Sequence, residues 1–359
     1  MKTAAKCLAI AIIVLSYLGC ARETPQIKVI AERIEPTLYS FRWEVLPPIN
    51  GTVKIYSSFD PECFDMSRPC IEAPISDGAV CFPVEKENDR YFFLLKFNNR
   101  CKRVIGNRFV HNSGYIQNLR DIGGYQNKEE KTIKWAKIYR SGNIKAPVEK
   151  RDICLTNQLK IKTIIGFYNK KDEIHGQEMP YLNNIHYINT HIPDPINSEV
   201  IEMVLNGKMR RGDAVLYLQE RYLDIYEKAD VYFNPMFNAL LEPENYPILL
   251  TDERGVDRVG FAIGLLMAAL EIPGETITED YMLSKNQTDI RMYIPRTCMS
   301  IFFDQQETIS LLLNPYEAAL SLIHSHINRD FGSIDNYLEK KLKLDKAKRK
   351  KLKQLLLAD

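Results

Sequence analysis

"NYPILLTDERGVDRVGFAIGLLMAALEIP" (residues 245–273) holds a strand, a tight loop and a helix in one stretch. Pro247, Ile248, Leu249 and Leu250 make an apolar run long enough for one buried strand. Gly255 and Gly260 interrupt it, and an apolar-rich stretch with helical spacing then continues to Leu270. A strand that turns tightly into a helix N-terminus is a ready anion site, because the first amides of the helix lack internal partners and its dipole favours negative charge. Arg258 falls in the first helical turn, where a guanidinium can fork onto oxyanion oxygens. Yet Asp252 and Glu253 occupy the middle of the loop, and two carboxylates should repel an anion.

Working outward, 359 residues suggest two domains, and 45% hydrophobic with 26% charged residues is ordinary globular composition. A net charge of +2 gives no reason to expect nucleic acid. The basic run "EKKLKLDKAKRKKLKQLLL" has the leucine spacing of an amphipathic helix with a solvated lysine face. Residues 27–110 alternate in short bursts, "LYSFRWEV", "GTVKIYSS" and "RYFFLLKF", separated by turn formers, which predicts a small all-β sandwich with Trp43 in its core. From residue 112 to 359, apolar runs such as "LKIKTIIGFYN" and "HYINTHI" alternate with helical stretches, which predicts an α/β domain with a central sheet flanked by helices.

The first 20 residues, "MKTAAKCLAIAIIVLSYLGC", place Lys2 and Lys6 before an apolar run and small residues. That is the pattern of an export signal, too short for a permanent membrane span. Leu18, Gly19 and Cys20 resemble the cleavage box of bacterial lipoproteins, which implies a lipidated Cys20, a linker over residues 21–26 and a lipid-anchored place in the cell envelope, in either leaflet. A plain signal-peptidase site is the alternative. Export permits disulfides, and Cys63, Cys70, Cys81 and Cys101 cluster as candidates for one or two bridges of open pairing. Cys154 and Cys298 stand alone and read as buried thiols.

"NLRDIGGYQNKEEKTIKWAKIYRSGNI" (residues 118–144) resembles the opening motif of the bacterial tyrosine and dual-specificity phosphatases, N-[FL]-R-D-[LI]-G-G-Y followed by W-x-x-[LIV]-[YF]-R-S. Asn118, Arg120, Asp121, Gly123 and Gly124 carry the first half. "ITEDYMLSKN" (277–286) and the basic C-terminal stretch (331–357) also look like later helices of that family. The N-terminal strands look like a fibronectin type III or immunoglobulin-like module.

The resemblance implies a cysteine nucleophile in a loop written H-C-x-x-G-K-D-R-T-G, with no cofactor and no metal. Here the loop is Thr251, Asp252, Glu253, Arg254, Gly255, Val256, Asp257, Arg258, Val259, Gly260. Gly255, Asp257, Arg258 and Gly260 match. Asp252 stands at the nucleophile position, Thr251 at the histidine, Val256 at the lysine and Val259 at the threonine. These changes remove the thiolate and most of the donors a dianion needs. Asp252 is therefore expected to occupy the anion's place in a partly open loop, paired with Arg258. That predicts a pseudophosphatase that binds a protein, glycan or anionic ligand. The alternatives are an active phosphatase on phosphotyrosine or phosphoinositide, and an adhesive or structural lipoprotein working through its β-sandwich. Asp194, between two prolines in "THIPDPIN", reads as a turn former rather than a general acid.

If Cys20 is the anchor, Cys20→Ser should move the mature chain out of the membrane fraction completely, because multiple acyl chains hold a protein where one would not. An unchanged membrane pool, assayed by fractionation, would place the anchor elsewhere.

Overall fold

The structure is a computed structural model that describes residues 25–85, 90–98, 101–110, 116–144, 153–169 and 185–358. Cys20 and the signal segment lie outside the described residues. No helix among the described residues is long and apolar enough to cross a membrane.

Seven strands come first: β1 (Gln26–Glu35), β2 (Leu38–Leu46), β3 (Thr52–Ser58), β4 (Ile71–Pro74), β5 (Ala79–Pro83), β6 (Phe92–Phe97) and β7 (Cys101–Gly106). They form two antiparallel sheets, ordered β1-β2-β5 and β4-β3-β6-β7. Alternation on β2 points Tyr39, Phe41, Trp43 and Val45 inward, and they share one core with Val53, Ile55, Phe93 and Leu95 of the other sheet. Phe93 sits at its centre, with ring centroids 4.6 Å from Phe41 and 5.0 Å from Tyr39. Trp43 is buried as expected, and its indole N–H donates to the Ile75 carbonyl at 2.7 Å. On β6 the alternation disappears, because its other face is covered as well: Phe92 packs 6.4 Å from Trp135 of the following unit.

The second unit is built on β8 (Arg120–Asp121), β10 (Ile138–Ser141), β11 (Thr163–Gly166), β12 (His186–Asn189) and β13 (Ile248–Thr251), ordered β12-β11-β13-β10-β8. All neighbours are parallel except β8 against β10. On the central β13, Ile248 and Leu250 face the main helical core, while Leu249 faces a smaller cluster with Leu155, Ile164 and Tyr139. The helices are α1 (Ser198–Leu205), α2 (Arg211–Glu227), α3 (Ala229–Leu240), α4 (Asp257–Ala269), α5 (Gly274–Leu283), α6 (Met299–Asp304), α7 (Gln306–Leu313), α8 (Glu317–Phe331), α9 (Ile334–Lys340) and α10 (Lys346–Leu356). The strand expected in "LKIKTIIGFYN" is only Thr163–Gly166, since a π-helical turn (Ile153–Gln158) and Lys160 at φ 53° delay its start.

The basic C-terminal stretch is two helices rather than one. Lys343 at φ 57° breaks it, and the Asp345 carboxylate then caps α10 by accepting from the Lys348 amide at 2.8 Å. The chain finishes in β14 (Leu357–Ala358), paired antiparallel with β9 (Thr132–Ile133) beside the opening motif.

The expected bridges are not formed among three of the four clustered cysteines: Cys63, Cys70 and Cys81 carry free, exposed thiols, and the Cys101 side chain lies outside the described residues. Cys81 lies on β5 of one sheet, and Cys70 immediately precedes β4 of the other. Cys154 is buried as expected, but Cys298 is only half-buried.

Removing the central ring by Phe93→Ala should cost about 3–5 kcal/mol. Urea unfolding followed by tryptophan fluorescence would report it as a lowered midpoint; an unmoved midpoint would mean that the two sheets do not depend on a shared core.

Candidate functional site: a loop closed on its own carboxylate

β13 delivers the chain at Thr251 and α4 takes it away at Asp257, so the loop between them has its amides turned inward. The Asp252 carboxylate fills that space. Its Oδ1 accepts from the Arg254 amide at 2.9 Å and the Gly255 amide at 2.5 Å, and its Oδ2 accepts from the Val259 amide at 3.1 Å. The first two bonds are a local Asx turn, and the third caps the first turn of α4, where the helix dipole favours a negative charge. Val256, which precedes the helix, supplies no side-chain cap.

Gly255 is required here. It has φ 68°, and a Cβ on it would lie 2.5 Å from the Ser141 carbonyl carbon and the Gly142 nitrogen at the end of β10.

Arg258 pairs with Asp252 as expected, but as an ion pair without a hydrogen bond. Its Nε stands 3.5 Å from Asp252 Oδ2, too long for a hydrogen bond, and has no hydrogen-bond partner among the described residues. Its Nη1 donates to the Ile192 carbonyl at 3.1 Å, and its Nη2 lies 3.4 Å from Asp194. The loop is also closed rather than partly open, with Asp252 and Arg258 each 1% exposed.

Asp194 is both a turn former and a partner of the loop. Its carboxylate accepts from the Ile196 amide at 3.0 Å, and it reaches Arg254 at 3.3 and 3.4 Å. Burial would raise its pKa, but Arg254 and Arg258 outweigh burial and hold it below the usual carboxylate range. Arg254 also donates to Asp257 at 2.5 Å and to the Ile196 carbonyl at 3.0 Å. Burial pushes the Asp257 carboxyl up against the opposing pull of Arg254, and Tyr222 donates to it at 2.5 Å.

The replaced positions are used. Thr251 donates to the Gly142 carbonyl at 2.8 Å, and its Oγ1 lies 3.0 Å from the Tyr168 hydroxyl, which also reaches the Asp252 carbonyl at 3.3 Å. Glu253 points to Asn143 (3.0 and 3.1 Å), while Val256 and Val259 are fully buried. Among the described residues no three His, Cys, Asp or Glu side chains gather in a way that could hold a metal ion.

The opening motif supports the loop from outside. Asn118, at φ 57°, donates to the Gly255 carbonyl at 2.7 Å. Arg140 donates to the same carbonyl at 2.7 Å and to Asp280 of α5 at 2.6 Å. Arg120 donates to the Asp280 carboxylate at 3.2 Å, to its carbonyl at 2.7 Å, and to Asn118. Gly123 and Gly124 let the chain pass over Trp135, since a Cβ on either would lie within 3 Å of it. Asp121 accepts from the Gly123 amide at 2.7 Å and from Arg90 of the N-terminal unit at 2.7 Å. The resemblance over 277–286 covers Asp280 but gave it no partner, since Arg120 lies 160 residues away in sequence, and no local signal gave Tyr168 its bond to Thr251.

A strand-loop-helix site of this build, supported by the opening motif, defines a phosphatase-type loop. The profile of the tyrosine phosphatase family matches residues 112–358, and the chain belongs to that family. A putative tyrosine-protein phosphatase from Cupriavidus necator is 23% identical over 234 residues, covering 65% of this chain and 84% of the relative. Two solved structures are similar at 18% identity and a TM-score of 0.27. The Siw14 catalytic core covers 53% of this chain and 87% of its own. The core catalytic domain of the PP-IP phosphatase SIW14 from S. cerevisiae, in complex with citrate, covers 53% and 88%.

Asp280 gives an acid-stability test. Burial would raise its pKa, but Arg120 and Arg140 overcome this and set it well below the usual carboxylate range. Its contribution is therefore full above about pH 4, the ordinary carboxylate pKa, and declines as pH falls below that. Asp280→Asn should cost about 3–5 kcal/mol at pH 7, because two buried guanidinium groups lose their counter-charge. It should also flatten the fall in denaturant midpoint between pH 4 and pH 2; equal slopes in wild type and variant would refute the account.

Proposed function

We propose that this member of the tyrosine phosphatase family is an envelope-anchored pseudophosphatase with a binding role, carrying a fibronectin-like β-sandwich ahead of its phosphatase unit. One observation carries the reading: the Asp252 carboxylate already takes three amide bonds that a phosphoryl group would need. An oxyanion must therefore enter against a fixed charge. Two like charges about 4 Å apart repel by about 4 kcal/mol at an effective dielectric near 20 and by about 1 in water. Arg258 Nε faces the Asp252 carboxylate at 3.5 Å without a hydrogen bond among the described residues, so the loop retains a donor for an anion once the carboxylate is gone. Lipidation at Cys20 and the binding of a protein, glycan or anionic ligand rest on the sequence pattern.

Wild-type protein should not turn over p-nitrophenyl phosphate, with or without magnesium. Magnesium-dependent turnover abolished by Asp252→Asn would instead make Asp252 a nucleophile. Asp252→Ala should bind phosphate or tungstate ten- to a hundredfold more tightly than wild type, or about 1.4–2.7 kcal/mol. Thermal shift against anion concentration measures this. Equal affinity in both proteins would mean that Asp252 does not hold the anion's place.

A further inference from the structure

A cavity of about 480 Å³ lies at the junction of the two units, well within the size range of small-molecule sites and at a place where such sites favour. None of its lining residues belongs to the 251–260 loop, so it is separate from the site above.

Its walls are of two kinds. Ile27 and Val29 of β1, Leu94 of β6, Val104 of β7 and Trp135 of the phosphatase unit supply apolar surface. Trp135 is fixed in that wall, since its indole N–H donates to the Val104 carbonyl at 2.9 Å. The other kind is basic: Lys28, Lys102, Arg103 and Lys134 line the cavity against a single carboxylate, Glu62. Glu62 is itself engaged by Lys137 at 3.1 Å.

The cations are not used up by the fold. Lys102 makes no ion pair among the described residues, Lys28 stands across from Glu44 on β2 without an ion pair to it there, and the buried Nε of Arg103 has no hydrogen-bond partner there. Among the described residues Lys134 donates to the carbonyls of Gln354 and Leu355 and pairs with no carboxylate. Lys102 also stands directly across from Lys96 on β6. Like charges at that spacing repel, so the junction carries positive charge at a cost to the sheet.

We propose that this cavity binds an amphiphilic anion, with an aliphatic body against Ile27, Val29, Leu94 and Trp135 and a carboxylate or phosphate head among Lys28, Lys102, Arg103 and Lys134. An apolar body gains by leaving water, and a charged head gains by meeting unpaired cations in a partly dry cleft. Neither half alone satisfies both walls. Because the walls come from both units, the ligand also holds the junction together. The proposal does not depend on the loop being inactive.

The probe is dodecanoate, added below its micelle concentration to the full chain carrying Cys20→Ser. The chain has two tryptophans, and Trp135 lies in the cavity wall while Trp43 lies in the core of the strands. A saturable change in emission is expected, retained in Trp43→Phe and lost in Trp135→Phe. Dodecanol and inorganic phosphate should give no change at the same concentrations. Lys28→Glu with Lys102→Glu should weaken dodecanoate at least tenfold while a single cooperative urea transition is retained, and Lys346→Glu on α10 should bind as the parent does. Dodecanol or the double variant binding as tightly as the parent would overturn the proposal, as would absence of any response. Vesicles containing phosphatidylglycerol present the same chemistry from a bilayer: competition with dodecanoate supports the site and names a lipid source, and saturable dodecanoate binding without competition supports it with a free fatty anion.

Discussion

A loop that turns several backbone amides toward one point must have something negative at that point, because buried amides without acceptors are costly. In this chain the requirement is met from within. The Asp252 carboxylate takes the amides of Arg254, Gly255 and Val259, and the rest of the site is arranged around that choice. Arg258 stands back at 3.5 Å, Asp194 closes over both arginines, and the loop is shut. A carboxylate is planar and offers two oxygens, so a helix N-terminus and an Asx turn can share it.

The carbonyl side of the same loop needs donors, and these come from far along the chain. Arg140 and Asn118 both donate to the Gly255 carbonyl, and Asp280 compensates Arg120 and Arg140 together. The group is a coupled set in which burial presses Arg140 down to about 10, with Arg120 adding to the shift. Asp280, facing both guanidinium groups, is pressed the opposite way from a lone buried acid. Such a cluster contributes little as a sum of pairs, but each member is expensive to remove once the others are in place.

The N-terminal strands are joined to this arrangement. Arg90 donates to Asp121 at 2.7 Å, and its guanidinium lies over the rings of Phe92 and Tyr139. Asp121 thus links the opening motif of the phosphatase unit to the preceding sheets. The apolar continuity of β6 has the same origin, since Phe92 is buried by Trp135 and not by the strand core.

Much of this was legible in the sequence. The alternation of "LYSFRWEV" placed Trp43 inside, the glycines of 251–260 marked the break between strand and helix, and Asp252 at the nucleophile position pointed to a self-filled loop. Those are local signals: a periodicity, a turn residue, a charge within a few positions of the amides it binds. Tertiary structure alone decided which partner each charge took. Arg258 does pair with Asp252, but only at ion-pair distance, because backbone amides fixed by the turn and the helix already take the carboxylate's hydrogen bonds. Asp194 meets Arg254 only because β12 and β13 run parallel on either side of β11, with the segments that follow them at the same end of the sheet. Asp280 meets Arg120 and Arg140 only because α5 folds back over the loop, and no spacing in the chain encodes a contact 160 residues long. The sequence by itself determined the elements and the charge at the centre of the loop; packing decided how that charge was surrounded, because partners for a buried ion are chosen by geometry in space and not by distance along the chain.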